Sequence, residues 1–468
     1  MVDAMVDAAM AEFKQILNRF CEKRDLSKLT PELAEQLCGG LREALAGAGL
    51  EAFRTFLQSY ETELDVVRDT HGKMYRFKKV RNRSFMTPFG LLNLKRRCYQ
   101  DKRDTTSYVP LDAAWGMEGQ YLTPQVREAV LFACALVTPE ETVQLLGKCA
   151  LFKPDPSTIK REVVNTGKRI QAQRDAVDQQ LRAEEPVPEE SRALVVSADG
   201  ATVLMNEKGV HFGRCAERPG GNESGQRPTA YRVAMVGSVS HYGAPEAPGE
   251  SPKRLQTRYV AHMPERGCPT FKSLLEAELE HAERHAPAQA QRILLLDGAR
   301  ELWSYFDKNP RYDTYHRCID FWHTMEHLSV AAHALHGNGE AAKRWYDKYS
   351  RILLESDDGA QRICRSIDYY EPKIKRTKTN QKHLEEQRTF FRRNGCRMPY
   401  ATFRTNGWPI GSGPIEAACK TLVKTRMCRS GMRWTRSGGQ HILNLRTYVK
   451  SNRWSQAWQH IKQLENAA

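Results

Sequence analysis

The sequence predicts a multidomain protein of the α+β or α/β type, with a helical, helix-turn-helix-like N-terminal region followed by a strand-rich core that an all-helical stretch interrupts before its last acidic residue. Three observations lead there. Apolar residues recur at helical spacing through the first 70 residues and again from 123 to 174. Short apolar runs of strand length then crowd residues 193 to 298, and residues 323 to 395 return to a helical period. At 468 residues the chain exceeds what one hydrophobic core supports, about 250 residues, so two or three domains are expected.

Residues 1–72 read as a helical arm for dimerisation or DNA binding. Phe13, Ile16, Leu17 and Phe20, then Leu41, Leu45, Phe53, Phe56, Leu57 and Tyr60, mark the apolar faces, and Pro31 and the Gly39-Gly40 pair punctuate them. Residues 73–185 read as a DNA-binding region with two parts. Met74 to Tyr108 is rich in Arg and Lys around Thr87-Pro88-Phe89-Gly90 and predicts a β-hairpin facing backbone phosphates. Pro139 to Lys168 has the outline of a helix-turn-helix, with Ser157 as N-cap of a second helix carrying Lys160, Arg161 and Lys168. Helix pairs joined by a Pro-containing turn are also common in cores, so DNA reading and plain packing both fit. The Pro- and Glu-rich stretch from Glu184 to Glu190 reads as a linker.

Strands are predicted at ALVVSADG (193–200), YRVAMVGSVS (231–240) and TRYVAHM (257–263), then a helix from Thr270 to His285. RILLLDG (292–298) is apolar nearly throughout, as a strand buried on both faces would be. Three strands, a helix and a buried fourth strand open an RNase H-like domain, assigned here to residues 191–322. A helix from Arg300 to Phe306 and a short strand from Tyr315 to Ile319 come next. Residues 323–405 are then a helical insertion, 406–450 the final core helix with a basic segment, and 451–468 a C-terminal tail.

Lys and Arg number 71 against 56 Asp and Glu, a net charge of +15 that favours a polyanionic partner through counterion release. Nucleic acid is the partner expected, double-stranded DNA in particular. No apolar run approaches the roughly 18 residues that a membrane span needs, so no membrane role is expected. The N-terminus begins with acidic residues and lacks a signal-peptide apolar region, which predicts a cytoplasmic protein. The twelve cysteines include no pair at two-residue spacing, so neither a disulfide framework nor a zinc ribbon is implied.

Phosphodiester chemistry asks little covalent work of a protein, but two divalent cations need hard oxygen ligands drawn from distant positions. Asp199 and Asp297 each close an apolar run and precede a glycine. In an RNase H-like sheet the first and fourth strands are neighbours, about 5 Å apart, so these carboxylates would face each other and repel without a cation. Asp-Gly after a strand is equally a turn. Glu416, in GSGPIEAACK, sits at a helix start, where glutamate is also common as a cap and dipole partner. Asp199, Asp297 and Glu416 are the candidate catalytic and metal-binding residues, with magnesium as two ions, manganese as substitute, and zinc not expected.

Lys420, Lys424, Arg426, Arg429, Arg433 and Arg436 come after it, with no acid between Ala417 and Arg436. Glu416, Lys420 and Lys424 recur every four residues, which on an α-helix is one face. A basic helix is most often simply solvated; beside a metal ligand it suits phosphate, and Lys420, Lys424, Arg426, Arg429 and Arg433 join Lys160 and Arg161 as candidate DNA contacts. His316, Cys318, His323 and His327 are of metal-ligand type but no close cysteine pair completes a site; His323 is a candidate active-site support. Trp322, Trp408 and Trp434 read as core or helix anchors, Trp408 alternatively as a contact to an unpaired base.

Taken together, SADG, LLDGAR, CIDFWHTMEHL and GSGPIEAACKTLVKTRMCRSGMRW resemble the bacterial insertion-sequence transposases of the ISKra group, relatives of the Mutator-like DDE transposases. TPFG and VPLDAAWGM extend the likeness over roughly residues 75 to 450. The resemblance implies an RNase H-like core with a helical insertion before the final acid, and the three DDE roles at Asp199, Asp297 and Glu416. It departs in one respect. Such families often carry a cysteine zinc ribbon around the TPFG region, and here only Cys98 stands there, leaving Arg96, Arg97, Lys102 and Arg103 to hold phosphates without zinc. The function expected is metal-dependent cleavage and strand transfer of an insertion sequence, bound at its terminal inverted repeats by a homodimer or larger oligomer. A transposase-derived DNA-binding regulator without catalysis, or an RNase H-like repair or junction nuclease, are the competing expectations.

Overall fold

The computed structural model describes residues 1–24, 27–206, 230–247, 250–373 and 377–466. Parts of the predicted core (207–229) and of the predicted tail (467–468) therefore lie outside the described residues. The protein is a mixed α and β molecule that divides into two compact units, residues 1–169 with 458–468, and residues 170–457.

In the first unit, α1 (Val2–Cys21) and α2 (Pro31–Gln58) form a helical hairpin. Pro31 occupies the first turn of α2, and Thr30 caps it by accepting from the Leu33 N–H at 3.1 Å. The Gly39-Gly40 pair does not punctuate this helix. α2 runs straight through it, and a Cβ on Gly40 would lie 2.5 Å from the Phe20 ring, so the glycine lets the two helices close on each other.

A four-stranded antiparallel sheet comes next: β1 (Val66–Arg68), β2 (Met74–Thr87), β3 (Gly90–Gln100) and β4 (Ser107–Tyr108). β2 and β3 are the hairpin expected from sequence, closed by the pair Thr87 and Gly90, with Gly90 at φ +120°. Lys78, Lys79, Arg81 and Lys95 point to solvent. Arg96 does not: it is 6% exposed and ion-paired with Asp112, which also takes Arg83 at 2.9 Å. Arg97 lies over the Phe77 ring at 4.0 Å.

The helices α3 (Pro110–Ala114), α4 (Pro124–Leu136), α5 (Pro139–Cys149) and α6 (Pro156–Ala172) complete the N-terminal segment. A capping box starts α5, with Thr138 and Glu141 each bonding the other's backbone. α6 begins one residue before the expected N-cap Ser157. Asp155 receives the Ser157 N–H at 2.7 Å and does the capping, and its hydrogen bonds to Ser157 hold its carboxyl below the usual range.

In the second unit α7 (Arg174–Ala183) leads into a five-stranded sheet of β5 (Ala193–Met205), β6 (Ala230–Tyr242), β7 (Arg254–His262), β8 (Gln291–Leu296) and β9 (His316–Ile319). The order is β7-β6-β5-β8-β9. β5, β6 and β7 pair antiparallel, whereas β5, β8 and β9 run parallel. The crossover from β7 to β8 is α8 (Pro269–His285), and that from β8 to β9 is α9 (Arg300–Asp307). Ile293 to Leu296 are at most 1% exposed, as an all-apolar central strand should be.

Five helices then separate β9 from the last acidic segment: α10 (Phe321–His336), α11 (Glu340–Glu355), α12 (Gly359–Tyr370), α13 (Lys378–Asn394) and α14 (Tyr400–Thr405). The segment after Gly411 is not one long helix. α15 (Gly413–Ala418) passes into a π-helical turn, Cys419–Lys424, then α16 (Thr425–Met427), a loop, and α17 (Arg436–Lys450). The expected tail is largely helix, α18 (Trp454–Asn466). Ile415, Ala418, Cys419 and Leu422 pack under the far half of β5, on Ala201 and Val203. No described helix is long and apolar enough to cross a membrane.

Candidate active site

β8 joins β5 in parallel from Gln291 opposite Ala193 to Leu294 opposite Val196. Carried three residues past its last pair, the same register sets Asp297 opposite Asp199, and in-register residues of a parallel pair share a face. The two acids reach this position differently. Asp297 comes directly after the last residue of β8, as expected, but Asp199 does not end its strand: β5 continues to Met205, paired with β6 beyond the end of β8. The mid-strand Asp199 is half-buried, beyond the last residues that β5 pairs with β8.

Both glycines serve packing. A Cβ on Gly200 would meet Val233 at 2.4 Å, and one on Gly298 would meet Phe390 at 2.9 Å and His323 Nε2 at 3.2 Å. Gly298 therefore lets α10 and α13 close over the strand end. Asp297 is fixed on both sides, its carboxylate accepting from the Ala299 N–H at 2.9 Å and its carbonyl from Trp303 Nε1 at 2.7 Å. Asp199 accepts from the Gly200 N–H at 2.6 Å.

Burial raises the Asp297 carboxyl above its ordinary value, and the Asp199 charge adds to the rise; the Ala299 N–H and His323 act in the opposite sense. Two acids that repel in a half-buried place are suited to a cation. Cys419 lies one turn beyond Glu416, and burial, then the nearby Asp199 carboxylate, pushes its thiol well up. Glu416 is exposed at the start of α15 and accepts from Ser412 Oγ at 3.2 Å. Among the described residues no three His, Cys, Asp or Glu side chains lie close enough to share one metal ion, so Glu416 is not gathered with the two aspartates.

Asp320 escaped the sequence reading. It is 0% exposed, caps α10 by accepting the His323 N–H at 2.6 Å, and with its other oxygen accepts the Ser412 N–H. The Phe321 N–H to Ile410 carbonyl bond, 2.9 Å, runs beside it. One side chain thus ties the start of α10, where His323 faces Gly298, to the loop that starts the Glu416 helix. The signal that could have found it is an Asp three residues before His323 at a helix start. Asp320→Ala removes a cap and strands the buried Ser412 N–H, and is expected to cost about 2–3 kcal/mol, with Asp320→Asn costing less, as read by urea denaturation.

Lys420 and Lys424 both lie in the π turn, so with Glu416 they do not form one α-helical face; both side chains are exposed. Arg429 and Arg433 reach solvent from the loop after α16. Arg426 is 2% exposed, with its guanidinium 5.5 Å from the Trp434 ring; its place is inside and not on the DNA-facing surface expected for it. Lys160 and Arg161 are exposed on α6, Lys160 paired with Glu140 at 2.9 Å.

Of His316, Cys318, His323 and His327, the two on α10 stay together, the His323 and His327 rings 4.9 Å apart. His316 lies against Trp408 at 4.5 Å, Cys318 is fully buried, and His327 stacks on Phe390 at 3.6 Å. Trp434 is an anchor, donating to the Met427 carbonyl at 2.8 Å, but Trp322 is 66% exposed, over Gly411. A further feature absent from the sequence reading is a cluster of guanidiniums beside Asp297. Arg393 reaches the Gly298 carbonyl at 3.4 Å, and burial, then Arg300 and Arg397, lower its pKa.

Compared with known protein families and with curated proteins, the chain matches no family model and no curated sequence.

Proposed function

We propose that the chain is a DDE transposase that cleaves and joins the DNA of an insertion sequence, with Asp199, Asp297 and Glu416 as its acids. The observation that carries the reading is the Asp199 and Asp297 pair, which the β5/β8 register sets opposite each other when carried three residues past its last pair, with burial and the Asp199 charge together raising Asp297. The sheet order supports an RNase H-like core, whose first and fourth strands must be neighbours. The helices α10 to α14 lie where such a core would carry its insertion, before the last acid.

A divalent cation fits this pair, because magnesium favours one or two carboxylates with water and phosphate completing its shell. On this reading Asp199 and Asp297 would bridge or separately hold the cations and Glu416 would complete the second site; magnesium or manganese there would activate the attacking oxygen and stabilise the leaving one. Glu416 is exposed and held by a hydrogen bond from Ser412 Oγ, and on this reading it joins the pair when DNA binds. The protein's own groups do the rest. Lys420, Lys424, Arg429 and Arg433, with Arg300 and Arg393, take phosphates, and His323 supports Asp297. Hydrolysis adds a water oxygen to one phosphorus and releases the 3′-oxygen, which takes a proton. That 3′-hydroxyl then attacks a target phosphorus and displaces the target's own 3′-oxygen. The element ends and target are double-stranded DNA, held by a homodimer or larger assembly in the bacterial cytosol, with Lys160 and Arg161 of α6 as end-reading contacts.

The test is nicking of labelled duplexes that carry the repeats flanking the coding sequence. Magnesium- or manganese-dependent cuts at the element boundary are expected, abolished by EDTA and reduced by about 10³-fold or more in Asp199→Ala, with end binding within roughly threefold of wild type. Tight end binding with no cleavage under any divalent cation would overturn the catalytic reading in favour of a regulator. Cleavage of branched DNA without preference for the ends would favour a junction nuclease.

A further inference from the structure

Within the helical insertion, α11 and α12 lie side by side and leave a cleft of about 740 Å³ between them. Its cations come at helical spacing. Arg344 and Lys348, four residues apart on α11, face Arg362 and Arg365, three apart on α12, and no acidic side chain is among the described residues that line the cleft. Arg362 and Arg365 share one carboxylate at the margin, Asp358, at 2.9 and 3.8 Å. Among the described residues Arg344 and Lys348 have no carboxylate partner.

Aromatic rings are set among these charges. Tyr369, four residues after Arg365, is 60% exposed, with Lys373 Nζ 3.2 Å from its ring centre. Tyr370 and His336 meet edge to face at 5.0 Å, and the Nε2 of His336 is buried without a hydrogen-bond partner among the described residues. The floor is rigid: Trp345 Nε1 donates to the buried Ser366 Oγ at 2.9 Å, joining the two helices, and Tyr349 lies on Trp345 at 4.6 Å.

We infer that this cleft binds single-stranded DNA, phosphates on the Arg and Lys rows and an unpaired base on Tyr369. Four cations with no lining acid draw a polyanion, and an exposed ring among them distinguishes nucleic acid from an acidic peptide, which offers charge without stacking faces. The inference deepens the proposed function by assigning the insertion a hold on the strand freed near a cut, and it rests on that reading for the source of the strand. Its physical claim stands apart from catalysis.

The experiment is fluorescence anisotropy of a labelled single-stranded oligonucleotide with full-length protein in EDTA, where no cleavage occurs. The double variant Arg344→Glu with Lys348→Glu is expected to lose about tenfold or more in affinity and to reduce the salt slope by about 1.4, two contacts at roughly 0.7 each. Tyr369→Ala is expected to lose about tenfold through stacking alone, with the slope unchanged. Lys343→Glu with Arg351→Glu makes the same charge change outside the cleft lining and should cost far less. Equal losses in the two double variants, or wild-type binding by Tyr369→Ala, overturn the cleft. Stronger effects on a labelled acidic peptide than on the oligonucleotide would do the same. A protein whose cleft variants behave as expected but which never nicks DNA would keep the cleft and lose the transposase reading.

Discussion

Asp297→Asn is expected to abolish divalent-dependent nicking, by about 10³-fold or more, while raising the melting temperature of the metal-free protein by roughly 1–3 °C. The two effects have one cause. Burial, then the Asp199 charge, keep the Asp297 carboxyl above its ordinary value. A carboxyl whose folded pKa is raised contributes stability that is fully present below the unfolded pKa, about 4, and lost as pH rises through the folded value. At neutral pH the ionised Asp297 therefore costs stability, and the amide, which neither repels Asp199 nor resents burial, returns it. The gain should vanish at about pH 3, below the unfolded carboxyl range, where Asp297 with its raised pKa is protonated. Scanning fluorimetry in EDTA at about pH 3 and about pH 7, beside the nicking assay, checks both halves. A variant that loses activity and stability together would mean Asp297 is a structural acid, and the catalytic assignment would fall.

Arg453→Ala is expected to produce the largest loss of stability, about 3–5 kcal/mol and on the order of 10 °C in melting temperature. Arg453, 6% exposed, donates to both oxygens of Glu278 at 2.8 and 2.9 Å and to Glu185 at 2.6 and 3.0 Å. Burial opposes the Glu278 charge, and Arg453, then Arg182, outweigh it to hold the carboxyl below its usual value. The stability this gives is present above the unfolded carboxyl pKa and lost as pH falls through the folded one. Removing Arg453 leaves Glu278 buried with only Arg182, at 3.2 Å, while Glu185 keeps Arg258. The damage comes from the stranded charge. Arg453→Met combined with Glu278→Met should therefore recover most of the loss in urea denaturation. A double variant no better than Arg453→Ala would show that the arginine acts through its own packing.

Much of the second unit is legible in the sequence because its signals are local. The runs at 193, 231, 257 and 292 are strands, and 270–285 is a helix, since apolar period and the Pro269 start leave little choice. The sequence misleads where exposure depends on neighbours. Asp199 reads as a strand end because Gly200 comes next, yet β5 continues with β6 as partner. Arg426 and Arg96 read as surface cations by type, and each is buried by packing that comes from elsewhere in the chain. Asp320 is invisible for the same reason: its capping role is local, but its hold on Ser412 spans 92 residues. That Glu416 stands apart from the two aspartates could not be read from spacing at all.

The π turn at Cys419–Lys424 bears on ancestry. Such a turn is a one-residue insertion accommodated inside a helix, and each added residue rotates the downstream side chains by about 100°. Relatives that lack it should align with a single-residue gap between 419 and 424. In them the cations beyond the gap would be swung a quarter turn or more around the axis from the acid before it. If the proposed function holds, the position of one surplus residue would decide which side of the acid a DNA strand can run along, and single-residue deletions in this turn would change strand path before they change fold.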